Sequence, residues 1–327
     1  MKRVFFLLLL FTSSLFCNIH SAKEKFYFAK KGQYIVTEQQ NIYSFLTILE
    51  KKEHQLILEE ITLPVSQKKK KESWANWYQK GAHGQTSHIL YEIDIDQALL
   101  KRAYSLSQKA YLKPEALLPQ LLSLPLKKLK PHERKKIGPT PPCDQIDTRK
   151  IWNPPLFRLG KKVQNPCFEA YSARWPRDET PLSQKKINLY FDLKRVDFPF
   201  PCWIEISDGS NTFKIRGIDT GDQLPLSPAC FPPLPPEFKP GIEEDENQII
   251  LTTTPLDKSL NFYLFAIDLS SSLRKTHAIA FTKSESQIFI EKLLISRLFT
   301  KGHRYQWFLM IEGQGELSID HPQNYFY

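Results

Sequence analysis

The sequence predicts a mostly β protein, and three observations carry that prediction. Short segments rich in β-branched and aromatic residues recur along most of the chain. Polar, glycine-containing or proline-containing breaks separate these segments at short intervals, as in antiparallel sheets. No long stretch has the 3.6-residue apolar period of an extended amphipathic helix. We therefore expect an N-terminal α+β module on an antiparallel sheet, followed by a C-terminal β-sandwich.

The first 22 residues have the layout of a cleavable signal peptide. Lys2 and Arg3 give a positive start, Val4–Phe11 is an unbroken apolar run, and Ala22 suits the position before a cleavage site. We therefore expect export, with residues 1–22 removed. The destination is the periplasm, the outer envelope or the medium.

Cys17 leaves the fate of the leader open. A lipobox has a small residue before its cysteine, and Phe16 stands there instead. Lipidation of Cys17 and its removal with the leader are therefore the two alternatives. After the leader, no apolar run approaches the roughly 18 residues of a membrane-spanning helix. The sequence thus predicts no transmembrane span.

The N-terminal module is predicted to cover residues 23–125. A meander of three strands is expected within residues 26–64, and four adjacent lysines at 68–71 indicate an exposed loop. The remaining predicted elements are strands at Ser87–Asp94 and Arg102–Leu112, a short helix that Ser73 caps, and a helix from Pro114 to Leu124.

A basic and proline-rich segment, residues 126–185, is predicted to link the module to the sandwich. Such a composition gains little from packing and favours extended conformations, although its tryptophans indicate partial docking. Residues 186–327 then contain seven or eight short predicted strands with no long helix between them. This spacing is typical of a two-sheet sandwich.

One short stretch resembles a corner of fibronectin-type-III-like and immunoglobulin-like sandwiches. Leu298, Gly302, Tyr305 and Trp307 follow its order of leucine, glycine turn, tyrosine and late strand. The spacing between Leu298 and Gly302 is one residue longer than usual. The resemblance implies that the tyrosine hydroxyl bonds back to the backbone upstream. It concerns the fold and implies no activity.

The chain is basic, since lysine and arginine exceed acidic residues by ten and the leader supplies two of these charges. A basic balance often indicates a nucleic-acid partner, but an exported protein rarely meets nucleic acid, so we expect none. A solvated basic surface and an attraction to anionic lipid or acidic glycan are the alternatives. The sequence does not identify the protein or surface ligand.

Four cysteines follow the leader: Cys143, Cys167, Cys202 and Cys230. An even number outside the cytoplasm favours disulfides, and the spacing favours Cys143–Cys167 and Cys202–Cys230 among the three pairings. No CxxC pair or Cys/His cluster has the spacing of zinc ligands. The sequence therefore predicts no metal site, and it contains no cofactor-binding glycine motif.

Asp219 is the strongest catalytic candidate. Ile218-Asp219-Thr220-Gly221 resembles the Asp-Thr-Gly loop of aspartic proteases, in which two such aspartates share a proton and activate water. The chain has a single triplet, so the resemblance implies a dimer with Asp219 in a cleft. Asp222 departs from the pattern, because a small residue is expected there. The alternative is an ordinary turn between strands.

The segment 231–235, Phe-Pro-Pro-Leu-Pro, is a candidate for partner binding. It resembles the ligand of EVH1 domains, an aromatic residue followed by prolines in a left-handed extended helix. The resemblance implies that Phe231, Pro232 and Pro235 face a partner protein. A rigid loop between strands is the alternative.

Two tryptophans, Trp74 and Trp77, stand on the short helix that Ser73 caps. They are predicted to pack in the core or, alternatively, to form a binding platform for sugar or lipid.

A non-catalytic binding or structural role, in the cell envelope or in a secreted protein, agrees best with these features. The first alternative is a lipid or glycan carrier with an open apolar cavity in residues 23–125. The second is an aspartic-type peptidase that uses Asp219.

Overall fold

A computed structural model of the chain describes residues 21–69, 71–112, 117–142, 145–208, 212–226, 229–234, 238–311 and 323–326. The described residues are mostly β, as predicted. The helices are α1 Lys23–Phe26, α2 Trp74–Gln79, α3 Leu117–Ser123 and α4 Lys292–Leu298. The first strands are β1 Tyr34–Gln39, β2 Ile42–Lys52, β3 Gln55–Pro64, β4 Ser87–Asp94, β5 Leu99–Ser105, β6 Ala110–Leu112, β7 Lys127–Lys128, β8 Phe157–Arg158, β9 Lys161–Lys162, β10 Phe168–Arg174, β11 Lys186–Asp192, β12 Trp203–Ser207 and β13 Thr212–Gly221. The later strands are β14 Phe238–Glu244, β15 Gln248–Thr253, β16 Phe262–Asp268, β17 Thr276–Ile279, β18 Thr282–Lys283, β19 Gln287–Glu291, β20 Arg304–Ile311 and β21 Gln323–Phe326.

None of the helices in the described residues has the length and apolar character needed to cross a membrane.

The N-terminal elements lie close to their predicted positions. β4 has the predicted bounds, and the Ser73 side chain caps α2 by accepting a hydrogen bond from Asn76 N–H at 3.2 Å. The predicted strand Arg102–Leu112 forms two strands, because a turn at residues 106–109 separates β5 from β6. Lys109 in that turn has a φ of 54°.

The largest sheet is antiparallel and has eleven strands. Its order is β6-β5-β4-β3-β2-β1-β13-β12-β11-β10-β7. β1 joins the two halves, since it pairs with β2 on one side and with β13 on the other. Its strands bury apolar side chains on both faces, because successive residues of a strand point to opposite sides of the sheet.

This sheet extends across the predicted division into domains. The prediction placed residues 186–221 in the C-terminal sandwich, whereas β11, β12 and β13 continue the sheet of the N-terminal strands. Within the predicted linker, β7 and β10 are also strands of this sheet, and Trp175 is buried. Strand patterns in a sequence locate strands, but the pairing of distant strands depends on their tertiary packing.

One face of the large sheet encloses a packed apolar core. Side chains from both halves of the sheet meet there, and Phe26 of α1, Leu122 of α3 and Phe198 lie among them. The carrier alternative required an open apolar cavity in residues 23–125. The apolar face of those strands is instead covered by side chains such as Trp203 and Leu156, which come from outside that range.

Residues 238–311 and 323–326 form a β-sandwich of two four-stranded sheets, ordered β14-β15-β19-β18 and β17-β16-β20-β21. Both sheets contribute to one core, in which Tyr305, Trp307 and Ile290 are fully buried. The predicted tyrosine bond is confirmed, since Tyr305 Oη accepts a hydrogen bond from Thr300 N–H at 2.7 Å. Gly302 in this corner has a φ of 84°, which few residues other than glycine adopt easily.

Candidate functional site

Asp219 lies within β13, near its end, and not in an open loop. It pairs with Val36 of β1, next to an irregularity in the register. Only 2% of Asp219 and 1% of Thr220 is exposed. The peptidase alternative required Asp219 in a cleft, and the turn alternative required exposure. The structure meets neither requirement, because pairing with β1 and packing of the segment 157–160 cover this end of the strand.

Asp219 and Thr220 hold the hairpin formed by β8 and β9. Asp219 Oδ1 accepts a hydrogen bond from Gly160 N–H at 2.9 Å, and Thr220 Oγ1 donates one to Phe157 O at 2.9 Å. The carbonyl oxygen of Thr220 accepts from Leu159 N–H at 3.0 Å. Three bonds therefore fasten a hairpin of six residues to β13.

The second oxygen of Asp219 also has a partner. Tyr34 Oη donates a hydrogen bond to Asp219 Oδ2 at 3.3 Å. Burial raises the pKa of Asp219, and hydrogen bonds from Gly160, Thr220 and Tyr34 and the charge of Lys68 offset this only in part. Burial, followed by the charge of Asp219, raises the pKa of Tyr34. This arrangement gives each carboxylate oxygen of Asp219 a partner within the chain and stabilises the local structure.

The third residue of the triplet, Gly221, must be a glycine for a steric reason. The Tyr34 ring packs directly on its backbone, and a Cβ at this position would overlap that ring. The Tyr34 ring also stacks on Phe45, with centroids 5.1 Å apart. The Asp-Thr-Gly sequence thus allows β13 to pack closely against both β1 and the hairpin.

The turn of the hairpin has an unusual backbone. Leu159 and Gly160 are the two turn residues between β8 and β9, with φ values of 50° and 74°. Positive φ at both positions is the type I′ pattern, which favours asparagine or glycine at the first position. Leu159 has its side chain in solvent, with 61% of the residue exposed. A leucine here is strained and gains nothing from burial within the chain.

A neighbouring loop, Leu193–Asp197, is tied to the hairpin by an ion pair. Arg158 Nη2 lies 2.9 Å from Asp192 Oδ2, and the Asp192 side chain is 2% exposed. Each partner directly precedes an exposed leucine, Leu159 or Leu193. We call the hairpin Phe157–Lys162 and the loop Leu193–Asp197 together the basic corner.

Two further ion pairs fix the loop of the basic corner. Arg195 pairs with Asp222, and Lys30 Nζ lies 2.8 Å from Asp197 Oδ2. The Arg195 guanidinium also lies 4.1 Å from the centre of the Phe198 ring. The loop therefore has a defined conformation, although its tip faces solvent.

The described cysteines are free thiols, which corrects the predicted Cys202–Cys230 disulfide. Cys202 is 1% exposed in the core of the large sheet, and burial raises the pKa of its thiol to about 12. Cys230 is exposed on a distant loop. Cys167 is exposed and free as well, and its predicted partner Cys143 lies outside the described residues.

The proline-rich residues 224–226 and 229–234, which we call the strap, pack against the chain itself. The Arg102 guanidinium lies 4.3 Å from the centre of the Phe231 ring, and Tyr111 Oη donates a hydrogen bond to Pro232 O at 2.6 Å. Phe231 and Pro232 are half-buried, and Pro235 lies outside the described residues. The two groups predicted to face a partner protein are therefore engaged within the molecule, as the rigid-loop alternative expects.

A cleft of about 560 Å³ lies beside the strap. Its lining combines apolar and charged side chains, including Leu49, Ile57, Glu92, Arg102 and Cys230. Within the described residues, no three His, Cys, Asp or Glu side chains are placed so that they could hold a metal ion.

Trp74 and Trp77 are core residues, in agreement with the first of their two predicted roles. Trp77 is fully buried and Trp74 is 9% exposed. Their rings meet edge to face at 5.5 Å, and Trp77 Nε1 donates a hydrogen bond to His83 O at 2.9 Å. They do not form an open platform.

Another buried carboxylate lies beneath α2. Glu59 is fully buried and accepts a hydrogen bond from Tyr78 Oη at 2.6 Å. His88 Nε2 lies 2.6 Å from its other oxygen. These hydrogen bonds satisfy both carboxylate oxygens of Glu59 inside the core.

The sequence reasoning missed the basic corner. It left residues 157–181 without assigned structure and treated the lysines there as part of a linker. A signal was present, because Leu159-Gly160 stands between Arg158 and the pair Lys161-Lys162. A glycine turn between short basic arms is typical of a hairpin tip.

Comparisons with known proteins connect the chain to proteins without a described activity. A family model described as CT021 protein matches residues 44–164, which is less than half of the chain. The solved structure of the hypothetical protein CT021 from Chlamydia trachomatis is 23% identical and has a TM-score of 0.48. That match covers 66% of this chain and 98% of the other. No curated protein matches the chain.

Proposed function

We propose that the chain is an exported, non-catalytic binding protein of the cell envelope. The observation that carries this proposal is the use made of Asp219 and Thr220. Their side chains fasten the hairpin of the basic corner and do not face a cleft. Asp219, the strongest catalytic candidate in the sequence, thus has a structural role. The β8–β9 hairpin that it holds carries exposed basic residues.

Two features of the sequence support export and binding. The leader at residues 1–22 has a positive start and an apolar run of secretory type. The excess of basic residues in the remaining chain favours anionic partners, which an envelope offers as lipids and acidic glycans.

The C-terminal sandwich fits a binding or spacer module. We propose that it is of the immunoglobulin or fibronectin type III kind, and the bond between Tyr305 Oη and Thr300 N–H supports this assignment. Such sandwiches carry many unrelated functions, so the assignment concerns architecture.

Native mass spectrometry of the protein purified from its own envelope fraction tests this proposal. We expect the mass of a chain without residues 1–22 and a co-purifying anionic lipid or glycan. Full-length protein in the cytosol with Met1 attached would contradict export. A peptidase activity that Asp219→Asn abolishes without unfolding the protein would instead support the aspartic-type alternative.

A further inference from the structure

We propose that the basic corner docks on the surface of an anionic lipid bilayer, with Leu159, Leu193 and Val196 entering the interface. This inference deepens the proposed binding function by naming the partner and the contacting residues. It starts from exposed aliphatic side chains, for which water is a poor environment.

The three aliphatic residues lie on two adjoining loops. Leu159 is 61% exposed, Leu193 is 49% exposed and Val196 is 64% exposed. Leu159 and Leu193 each follow one member of the ion pair between Arg158 and Asp192, which joins the hairpin to the loop. Single exposed aliphatic residues are common, but three on two joined loop tips offer apolar area to a partner.

Exposed lysines stand next to these aliphatic residues on the same two loops. Lys161 and Lys162 follow the hairpin turn, and Lys194 follows Leu193, and all three are exposed. The acidic residues of this region are neutralised or buried, since Asp192, Asp197 and Asp222 each pair with a basic side chain. The exposed charge at the tips is therefore positive, and it complements an anionic headgroup layer.

The combination of groups favours lipid over an acidic glycan. Lysines alone would suit an acidic glycan equally well, but exposed aliphatic side chains gain nothing from such a polar partner. Aliphatic residues that enter the acyl boundary beside lysines that reach the headgroups are typical of interfacial membrane contacts. The costly φ of Leu159 agrees with this assignment, because a strained turn holds a largely exposed aliphatic side chain in solvent.

The corner is also rigid enough to dock without reordering. Gly160, Leu159 and Thr220 take part in the bonds that fasten the hairpin to β13, and two ion pairs fasten the loop. Little conformational entropy would be lost on contact, which favours binding by a small surface.

Co-sedimentation of the purified mature chain with vesicles tests the inference. We expect binding to vesicles of phosphatidylglycerol and phosphatidylcholine, weaker binding to phosphatidylcholine alone, and a loss of binding as salt concentration rises. The triple change Leu159→Ser, Leu193→Ser and Val196→Ser should weaken binding to the mixed vesicles by about tenfold or more.

Matched controls separate the corner from general surface properties. Leu273→Ser removes an even more exposed leucine from the sandwich, since 79% of that residue faces solvent. The pair Lys161→Gln and Lys162→Gln is compared with Lys275→Gln and Lys301→Gln, which remove the same charge elsewhere. We expect only the corner variants to lose binding, while thermal unfolding confirms that every variant is folded.

Three results would overturn the inference. One is no binding to the mixed vesicles, and another is equal losses for corner and control variants. The third is binding to soluble heparin that the lysine changes weaken and the serine changes leave intact, which would indicate a glycan partner. An exported protein that binds such a partner would still satisfy the proposed function, so the two proposals can fail separately.

Discussion

At the scale of single residues, the Asp-Thr-Gly triplet is explained by contacts that the sequence does not display. Asp219 accepts bonds from a glycine 59 positions earlier in the chain and from Tyr34, 185 positions earlier. The identity of these residues suggested chemistry, but burial and partners decide what a carboxyl group does. The hydrogen bonds from Gly160 and Tyr34 give the Asp219 carboxyl a structural role.

Asp219 provides a test based on pH. Its folded pKa is raised by burial, so the folded state binds the proton more tightly than the unfolded state, whose aspartate has an ordinary pKa of about 4. The Asp219 carboxyl therefore contributes its full stabilisation at pH values below the unfolded-state pKa. That contribution is lost as the pH rises through the folded-state pKa. Asp219→Asn cannot ionise, so wild type should lose stability relative to this variant over that window.

Urea unfolding at several pH values between about 3 and 7 measures the difference. Asp219→Ala serves as the comparison, since it leaves the Gly160 N–H without its partner and, like Asp219→Asn, cannot ionise. It should therefore be less stable than Asp219→Asn by about 1–3 kcal/mol at every pH. A constant difference between wild type and Asp219→Asn across this range would contradict the expected proton linkage.

At the scale of elements, the strap shows how an apparent ligand motif can have an internal partner. The sequence correctly indicates a rigid proline-rich segment, because proline restricts the backbone wherever it stands. It does not indicate that Phe231 contacts Arg102 or that Pro232 O accepts from Tyr111. These contacts depend on the path of the strap from Leu224, whose N–H bonds Gly32 O at 3.0 Å.

Phe231→Ala tests whether the strap is fastened in solution. The change removes the contact with the Arg102 guanidinium and part of the apolar cover of the cleft, so we expect a loss of about 1–2 kcal/mol in the free energy of unfolding. Phe28→Ala is the control, because Phe28 is 57% exposed and should change stability by less than about 0.5 kcal/mol. If Phe231→Ala changed the free energy of unfolding as little as Phe28→Ala, the Phe231 ring would be free to contact a partner.

At the scale of the whole molecule, the eleven-stranded sheet defines the unit of folding. β1 and β13 are neighbours in space, although the predicted linker, residues 126–185, lies between them in the sequence. We therefore propose that the boundary between units lies between Gly221 and Phe238, and not at residues 126–185 as the sequence indicated.

Expression of fragments checks this boundary. Residues 23–125 lack β13 and the side chains that complete the core, so we expect this fragment to be unfolded or aggregated. Residues 23–234 contain all eleven strands and should unfold cooperatively with a native-like circular dichroism spectrum. If the fragment of residues 23–125 unfolded cooperatively by itself, the proposed boundary would be wrong.

The sequence by itself determined the mostly β character, the bounds of β4 and the Ser73 cap, and its resemblance to a sandwich corner implied that the Tyr305 hydroxyl bonds the backbone upstream. These features depend on residues within a few positions of one another, and local propensity and turn chemistry encode them. Only the tertiary structure decided the pairing of β1 with β13, the role of Asp219, the free state of Cys202 and the contacts of Phe231. Each of these joins residues far apart in the chain, and which distant surfaces meet depends on the packing of the whole core.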